Sequence, residues 1–283
     1  MNAQALEKSF GNLRERWPNG WPGLPLVLQQ CLRQLGCHSG IRLGARQRVM
    51  HRCMDEVAQC IEQDGRTRAA AGEEPAYHNR LHMADTLVAL TGLLLAQRAV
   101  DRSAAKKPSL QESVAMLAML GHDFLHDGSV NTRPAELESR SVDCLRPWLQ
   151  RNGVAEADQA LMAQLILATD PAVVGACHDR VEDRTFSTRD PDCLVVLVQE
   201  ADIMASTMPV IGPALTRQLA TEWERLGPEQ AGALLSASGR LKFLTESARF
   251  SSPASQQLGM NAIKSDEIRQ LRDGSDNRRA LAR

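Results

Sequence analysis

The chain has 283 residues, 43% hydrophobic and 24% charged, with 33 basic against 34 acidic side chains. That is an ordinary globular composition with enough length to bury a sizeable core. The balanced charge gives no bulk attraction to nucleic acid or to an anionic membrane, so a phosphate-bearing partner must be held locally. Seven cysteines, at 31, 37, 53, 60, 144, 177 and 193, form no CxxC pair, which argues against a disulfide framework and a thiolate zinc site. The first residues, MNAQALEKSF, lack the apolar core of a signal peptide, and LVALTGLLLA falls far short of the roughly 20 residues of a membrane span. A cytoplasmic location is the expectation.

Apolar residues recur three and four apart in segment after segment, and alternating Val/Ile-rich stretches bounded by turns are scarce. The fold class is therefore expected to be all-α, a compact multi-helix domain. In chain order, an N-terminal helix should precede the Pro/Gly-rich loop WPNGWPGLP at 17–25. A second helix is predicted over about 44–64, with the polar DGRTRAAAGEEP at 64–75 as a link. The next helix starts near Tyr77 and runs to about Arg98, with Leu81, Leu87, Leu90 and Leu94 toward the core. Ser109 and Glu112 form a capping box, after which VAMLAMLGHDFLHD continues as a helix closed by Gly128. Thr169 and Asp170 should end a helix ahead of Pro171. The last chemically relevant helix opens at Asp190-Pro191 and continues as CLVVLVQEADIMAS, apolar on all sides except for Glu200 and Asp202. Carboxylates in such a helix need partners, because an unpaired buried charge is costly. The chain divides into an N-terminal helical segment over 1–70 that packs on the core, a main domain over 71–265, and a polar tail over 266–283.

Four of the seven histidines lie in YHNRLHMAD (77–85) and GHDFLHDG (121–128). On a helix His78 and His82 would project from one face, one turn apart, and so would His122 and His126. Asp123 lies about 100° round the helix from His122 and reaches the same point only if that point is close to the helix surface. Gly121, with no side chain, permits that approach. Two helices pressed together along these edges, with Asp202 from a third, would direct imidazole and carboxylate donors at a divalent ion. Such a mixture suits zinc, manganese, iron or magnesium. His38 and His51 fit no ligand spacing, and His178 in GACHDR is expected in an exposed loop.

The same residues carry a family resemblance. YHNRLHMAD resembles the YHNxxHxxD signature of the class I cyclic nucleotide phosphodiesterases, and HDFLHDG resembles their HDxxHPG, itself a form of the HD-domain metal-dependent phosphohydrolase motif. ILATD at 166–170 is similar to the family's LATD segment, and QEADI at 199–203 falls where its late metal aspartate is expected. The resemblance covers roughly 75–260. It implies a helical HD/phosphodiesterase-like catalytic domain that hydrolyses cyclic AMP or cyclic GMP to the 5′-monophosphate through a hydroxide shared by two divalent ions.

Carried across residue by residue, the resemblance assigns His82, His122, Asp123 and Asp202 to the tighter ion, zinc in most of the family, with manganese or iron as alternatives. Asp123 would also reach a second, weaker site for magnesium or manganese. His78 would be the general acid, and His126 would support water on the second ion. Glu136 in NTRPAELES takes the place of the acidic residue of the family's SELA segment, with Glu138 competing for that role. Gln257 in QQLGM, similar to the family's QxGF, would read the purine edge, although Met260 stands where the clamping phenylalanine belongs. Asp127 replaces the proline of HDxxHPG. The implied partner is a small-molecule nucleotide, with no nucleic acid and no membrane. Two other readings are an HD-domain nucleotide phosphomonoesterase and a non-catalytic nucleotide-binding regulatory module, the second disfavoured by a complete set of ligands and acid.

Overall fold

A computed structural model describes residues 2–37, 42–101 and 109–281, with side chains described as far as residue 273; His38 lies outside the described residues. Among the described residues all regular structure is helical. The N-terminal part holds α1 (Ala3–Arg16), α2 (Leu24–Gln34) and the long α3 (Ala45–Ala71). The middle holds α4 (Arg80–Val100), α5 (Leu110–Gly121), α6 (Glu136–Asn152) and α7 (Glu156–Leu167). A 3₁₀ turn at Pro171–Val173 leads into α8 (Val174–Asp179), followed by α9 (Pro191–Thr207). The C-terminal part comprises α10 (Gly212–Trp223), α11 (Pro228–Leu235), α12 (Ala237–Lys242), a π turn at Phe243–Ser247, α13 (Pro253–Leu258) and α14 (Met260–Leu281).

The helix α4 is the axis of the molecule, packed by α1, α2, α5, α9 and α13. It is long and apolar enough by composition to cross a membrane, which corrects the expectation that no stretch is; most of it is buried inside the protein. A helix surrounded by other helices is apolar all round for that reason alone. One continuous hydrophobic core runs from Ala3 and Leu6 in α1 through Met50 and Val57 in α3 to Leu258 and Met260. The polar C-terminal segment begins inside α14, which starts at Met260 and packs Ile263 on this core.

Three boundaries differ from the sequence expectation, each with a local cause. The helix α3 extends through the supposed link to Ala71 and stops at Gly72, whose φ of 72° is the left-handed cap. Gly65 does not interrupt it, because the side chain of Arg80 crosses its surface there: a Cβ at Gly65 would lie 2.5 Å from Arg80 Cδ. The helix α4 begins at Arg80, not Tyr77. Asn79 is its N-cap, with Oδ1 accepting from the backbone of Leu81 (2.9 Å) and His82 (3.2 Å). His78 thus precedes the helix, and the one-face argument for His78 and His82 does not hold. Finally, α5 ends at Gly121 and does not continue to Gly128. Leu125 adopts φ 61°, and the His126 amide donates to the Asp123 carbonyl at 3.0 Å, so residues 122–126 form turns. His122 and His126 therefore do not share a helix face either.

Candidate active site

His82 sits in the first turn of α4, held there by the Asn79 cap, whose Nδ2 in turn donates to the carbonyls of Pro75 (3.1 Å) and Ala76 (2.9 Å). The motif's asparagine is thus a cap and its terminal aspartate a tether. Asp85, fully buried one turn on, accepts two hydrogen bonds from Arg14 of α1, at 2.9 and 2.5 Å. His122 is the C-cap residue of α5. Its Nδ1–H donates to the Met119 carbonyl at 2.8 Å, which fixes the tautomer and leaves the Nε2 lone pair for a ligand. Leaving the helix at this point lets consecutive residues His122 and Asp123 aim at one spot. Gly121 makes the close approach that the sequence suggested, although toward Leu145 of α6: a Cβ there would lie 2.6 Å from Leu145 Cδ1.

The two imidazole Nε2 atoms stand 3.3 Å apart. Asp123 Oδ2 lies 3.2 Å from that of His82 and 3.1 Å from that of His122. Asp202 Oδ1, from α9, lies 3.3 Å from each. Adjacent donors on an ion with bonds of about 2.0–2.2 Å sit roughly 3–3.5 Å apart in octahedral or tetrahedral geometry, so these spacings fit a divalent cation. The facing carboxylates favour positive charge on both imidazoles. Burial opposes the charge on His82, yet Asp123 and Asp202 outweigh it and raise its pKa to about 9; the same balance raises His122 well above its ordinary value. Burial also opposes ionisation of Asp123 and Asp202, and the facing histidines reverse that and hold both well below the usual carboxylate range.

The helix α9 can deliver Asp202 because its other buried carboxylate is satisfied. Glu200 accepts from the backbone amides of Ser251 and Ser252 (both 2.7 Å) and from the hydroxyls of Ser252 (2.5 Å) and Ser255 (3.2 Å). Burial still pushes its pKa up to about 7.

The cluster opens into a cavity of about 570 Å³. His78 lies at its wall beside the donors, stacked on His126 with ring centroids 3.9 Å apart. His78 Nδ1 faces Glu222 Oε2 at 2.7 Å, and Glu222 Oε1 also accepts from the backbone amides of Tyr77 (2.5 Å) and His78 (2.7 Å). One carboxylate from α10 thereby fixes both the backbone and the ring of His78. Burial, with His78 adjacent, lowers the pKa of His126 to about 4; its Nδ1 accepts from the Gly128 amide at 2.9 Å.

Of the two acidic residues of NTRPAELES, Glu138 faces the cavity. It is buried and accepts from Asn131 Nδ2 at 2.9 and 3.2 Å. Glu136, at the first position of α6, is turned to the preceding loop, where it accepts from the Thr132 amide at 3.1 Å and the Thr132 hydroxyl at 2.5 Å. Asp170 also lines the cavity, with one oxygen accepting from the Ala135 amide and the other from Ala172. Gln257 is exposed on α13 and is not among the lining residues, because Ala254, Ser255 and Leu258 take the buried face of that short helix. His178 is buried in α8 and not in an exposed loop, its Nδ1 paired with Ser251 Oγ at 2.6 Å.

Asp170, Trp223 and Phe243 line the cavity, and Glu222 holds His78 at its wall, without having been identified from sequence. Asp170 carried a signal, since it stands next to Pro171 in the LATD segment. Glu222 carried none, being 144 residues from His78.

No family model matches the chain, and no curated protein matches it in sequence. Solved structures do match it in fold. The phosphodiesterase domain of the RhoPDE fusion protein from the choanoflagellate Salpingoeca rosetta aligns at TM-score 0.63 and 16% identity, over 91% of this chain and 92% of that one. A second structure, the phosphodiesterase domain of Salpingoeca rosetta rhodopsin phosphodiesterase, gives TM-score 0.63 and 16% identity, over 92% and 89%. LmjPDEB1 in complex with IBMX gives TM-score 0.67 and 15% identity, over 95% and 91%. The chain has the all-α fold of these phosphodiesterase domains.

Proposed function

We propose that this protein is a metal-dependent phosphodiesterase that hydrolyses a 3′,5′-cyclic nucleotide to the 5′-monophosphate. The observation that carries the reading is the convergence of His82, His122 and Asp123, whose donor atoms lie within 4.8 Å of one another, with Asp202 3.3 Å from each histidine, beside a large cavity. The fold and the two histidine motifs speak for the phosphodiester, and the second histidine of GHDFLHDG with Glu138 and Asp170 provides polar groups for a second, weaker ion.

Divalent ions bound there, zinc (or manganese or iron) at the tight site and magnesium or manganese at the other, would supply hydroxide at neutral pH and offset the growing charge on the phosphate. The protein's own residues do the rest. Tyr77 supports the site from one side, its hydroxyl 2.9 Å from Ser206 Oγ and its ring 4.8 Å from that of His82. Glu222 orients His78 so that Nδ1 is engaged and Nε2 is the position left to meet substrate. A 3′-alkoxide is a poor leaving group unless a proton reaches it as the bond breaks, and His78 is the residue assigned to deliver that proton.

The experiment is a metal analysis of the purified protein followed by a substrate panel of cyclic mononucleotides, 5′-mononucleotides, dinucleotides and a bis-aryl phosphate. About one tightly held transition-type ion per chain is expected, emptied by His122→Ala, with hydrolysis of cyclic mononucleotides exceeding that of 5′-mononucleotides. Protein that neither holds nor is activated by added zinc, manganese or magnesium refutes the reading, and a preference for 5′-mononucleotides replaces it with a phosphomonoesterase.

A further inference from the structure

From His122 to Ala135 the chain runs outside any helix, and on the way it holds His126 against His78 in the cavity wall. Two residues of this stretch take left-handed backbone, Leu125 with φ 61° and Gly128 with φ 78°. A left-handed leucine is disfavoured, so contacts made by its neighbours have to hold the turn.

Those contacts come from within the turn and from outside it. Within it, consecutive side chains bind the amides two residues ahead. His126 Nδ1 accepts from the Gly128 amide at 2.9 Å, and Asp127 Oδ1 accepts from the Ser129 amide at 3.0 Å and the Ser129 hydroxyl at 2.5 Å. A carboxylate that takes the amide two residues on closes an Asx-turn, a side-chain copy of a backbone turn. Burial opposes ionisation of Asp127, and Ser129 and Arg140 outweigh it and lower its pKa to about 2, so the acceptor is a full carboxylate at neutral pH. From outside, Arg68 of α3 donates to the His126 carbonyl at 2.8 Å, Arg225 just past α10 donates to the Asp127 carbonyl at 3.3 Å, and Arg140 of α6 donates to Asp127 Oδ2 at 3.3 Å. Gly128 is pressed on the same groups: a Cβ there would lie 2.8 Å from Arg225 Nη2 and 3.4 Å from Glu222 Oε2, the atom that faces His78 Nδ1.

Glu222 holds the His78 ring by one edge, and a bond at Nδ1 leaves the ring free to tilt about it. The face of the ring is held by His126, which stacks at 3.9 Å with 25° between the planes, whereas Tyr77 and His82 meet it edge-on at 4.8 and 5.7 Å. The plane of His126 therefore sets the plane of His78, and the Gly128 amide sets the plane of His126. Asp127 does not line the cavity; whatever it does for the reaction passes through these neighbours.

Resting on the phosphodiesterase reading above, we infer that Asp127 is a positioning residue for proton delivery: its hold on Ser129 keeps the Gly128 amide on His126, and His126 keeps the His78 ring aimed at the leaving oxygen.

The test uses the full chain with metal bound. Asp127→Ala should lower kcat on a cyclic nucleotide about 10- to 100-fold, the cost of a reacting group displaced by about 1 Å, with KM and metal content close to wild type. On a nitrophenyl phosphodiester, whose leaving group needs no proton, the loss should stay under about threefold. Asp127→Asn keeps the Oδ1 acceptor and gives up only the charge on the exposed pair with Arg140, so its kcat should lie within about threefold of wild type. A protein merely loosened by the Ala substitution would lose both substrates and its metal together. Equal losses on the two substrates, an Asp127→Asn protein as slow as Asp127→Ala, or an Asp127→Ala protein with wild-type kcat overturns the inference.

If metal-loaded wild-type protein cleaves no phosphodiester, that reading has failed by itself, and the hold of Asp127 on His126 is decided by amide hydrogen exchange. The Gly128 amide should exchange about five- to tenfold faster in Asp127→Ala than in wild type, as loss of one hydrogen bond gives, and should keep its protection in Asp127→Asn. Exchange at Gly128 that Asp127→Ala leaves unchanged overturns it.

Discussion

Gly121→Ala tests how the packing of α5 on α6 sets the candidate metal site. The added Cβ would lie 2.6 Å from Cδ1 and 2.9 Å from Cδ2 of Leu145, a fully buried side chain. Carbon atoms at ease sit about 3.5–4.0 Å apart, so α6 and the end of α5 must separate by roughly 1 Å. Ordinarily Gly→Ala at a helical position gains up to about 1 kcal/mol; here overpacking costs about 1–3 kcal/mol, so with the full gain the net destabilisation is about 0–2 kcal/mol. The functional consequence is larger, because His122 and Asp123 follow directly and metal bonds tolerate only about 0.2 Å of error. Urea unfolding of metal-free protein and metal content by mass spectrometry read the two effects. Leu145→Ala alone should cost about 2–5 kcal/mol. The double variant should cost less than the two singles together by about 1–3 kcal/mol, since the new methyl enters the vacated space, and it should regain metal. A Gly121→Ala protein with wild-type stability and metal content, or a strictly additive double variant, would refute the reasoning.

His78→Ala should keep its metal and lose about 10²- to 10⁴-fold in turnover of a cyclic nucleotide, with much less lost on a nitrophenyl phosphodiester whose leaving group needs no proton; equal losses on both would make His78 a structural residue. Gly65→Ala should destabilise the protein, despite sitting mid-helix, because the methyl displaces Arg80 from its buried pairs with Glu62 (2.7 Å) and Glu74 (2.7 Å). Breaking such pairs costs about 3–5 kcal/mol, and a more stable variant in urea unfolding would contradict this. Burial, helped by Arg249, lowers the pKa of His178 from 6.5 to about 4, so the unfolded chain takes up this proton first as pH falls. Stability should drop by about 2 kcal/mol between pH 7.5 and pH 5 through this residue; His178→Asn should remove that part of the slope, and parallel pH curves for the two proteins would count against it.

Local chemistry made much of the molecule legible. The Ser109–Glu112 capping box and the Asp190 cap form as read, because a cap is decided within three residues of the helix start. The all-α class followed from apolar periodicity, and the donor residues from two short motifs and one carboxylate in an apolar helix. The ends of elements were harder where the deciding residue carries no signal: α5 stops at Gly121, and in the turns that follow Leu125 takes a left-handed backbone that leucine seldom adopts.

What the sequence by itself determined is the inventory of helices, their polar caps and the supply of His78, His82, His122, Asp123 and Asp202. Only the tertiary structure decided which polar groups meet them. Rotation of α6 chose Glu138 over Glu136 for the cavity, and the packing of α13 turned Gln257 to solvent although its motif position suggested otherwise. Glu222 reached His78, and Trp223 and Phe243 came to line the cavity, through folding of α10 to α12 and the π turn over it. The physical reason is that caps and periodicity are fixed by neighbours in the chain, whereas the face a helix presents to a site is fixed by the apolar surface it must bury against helices distant in sequence.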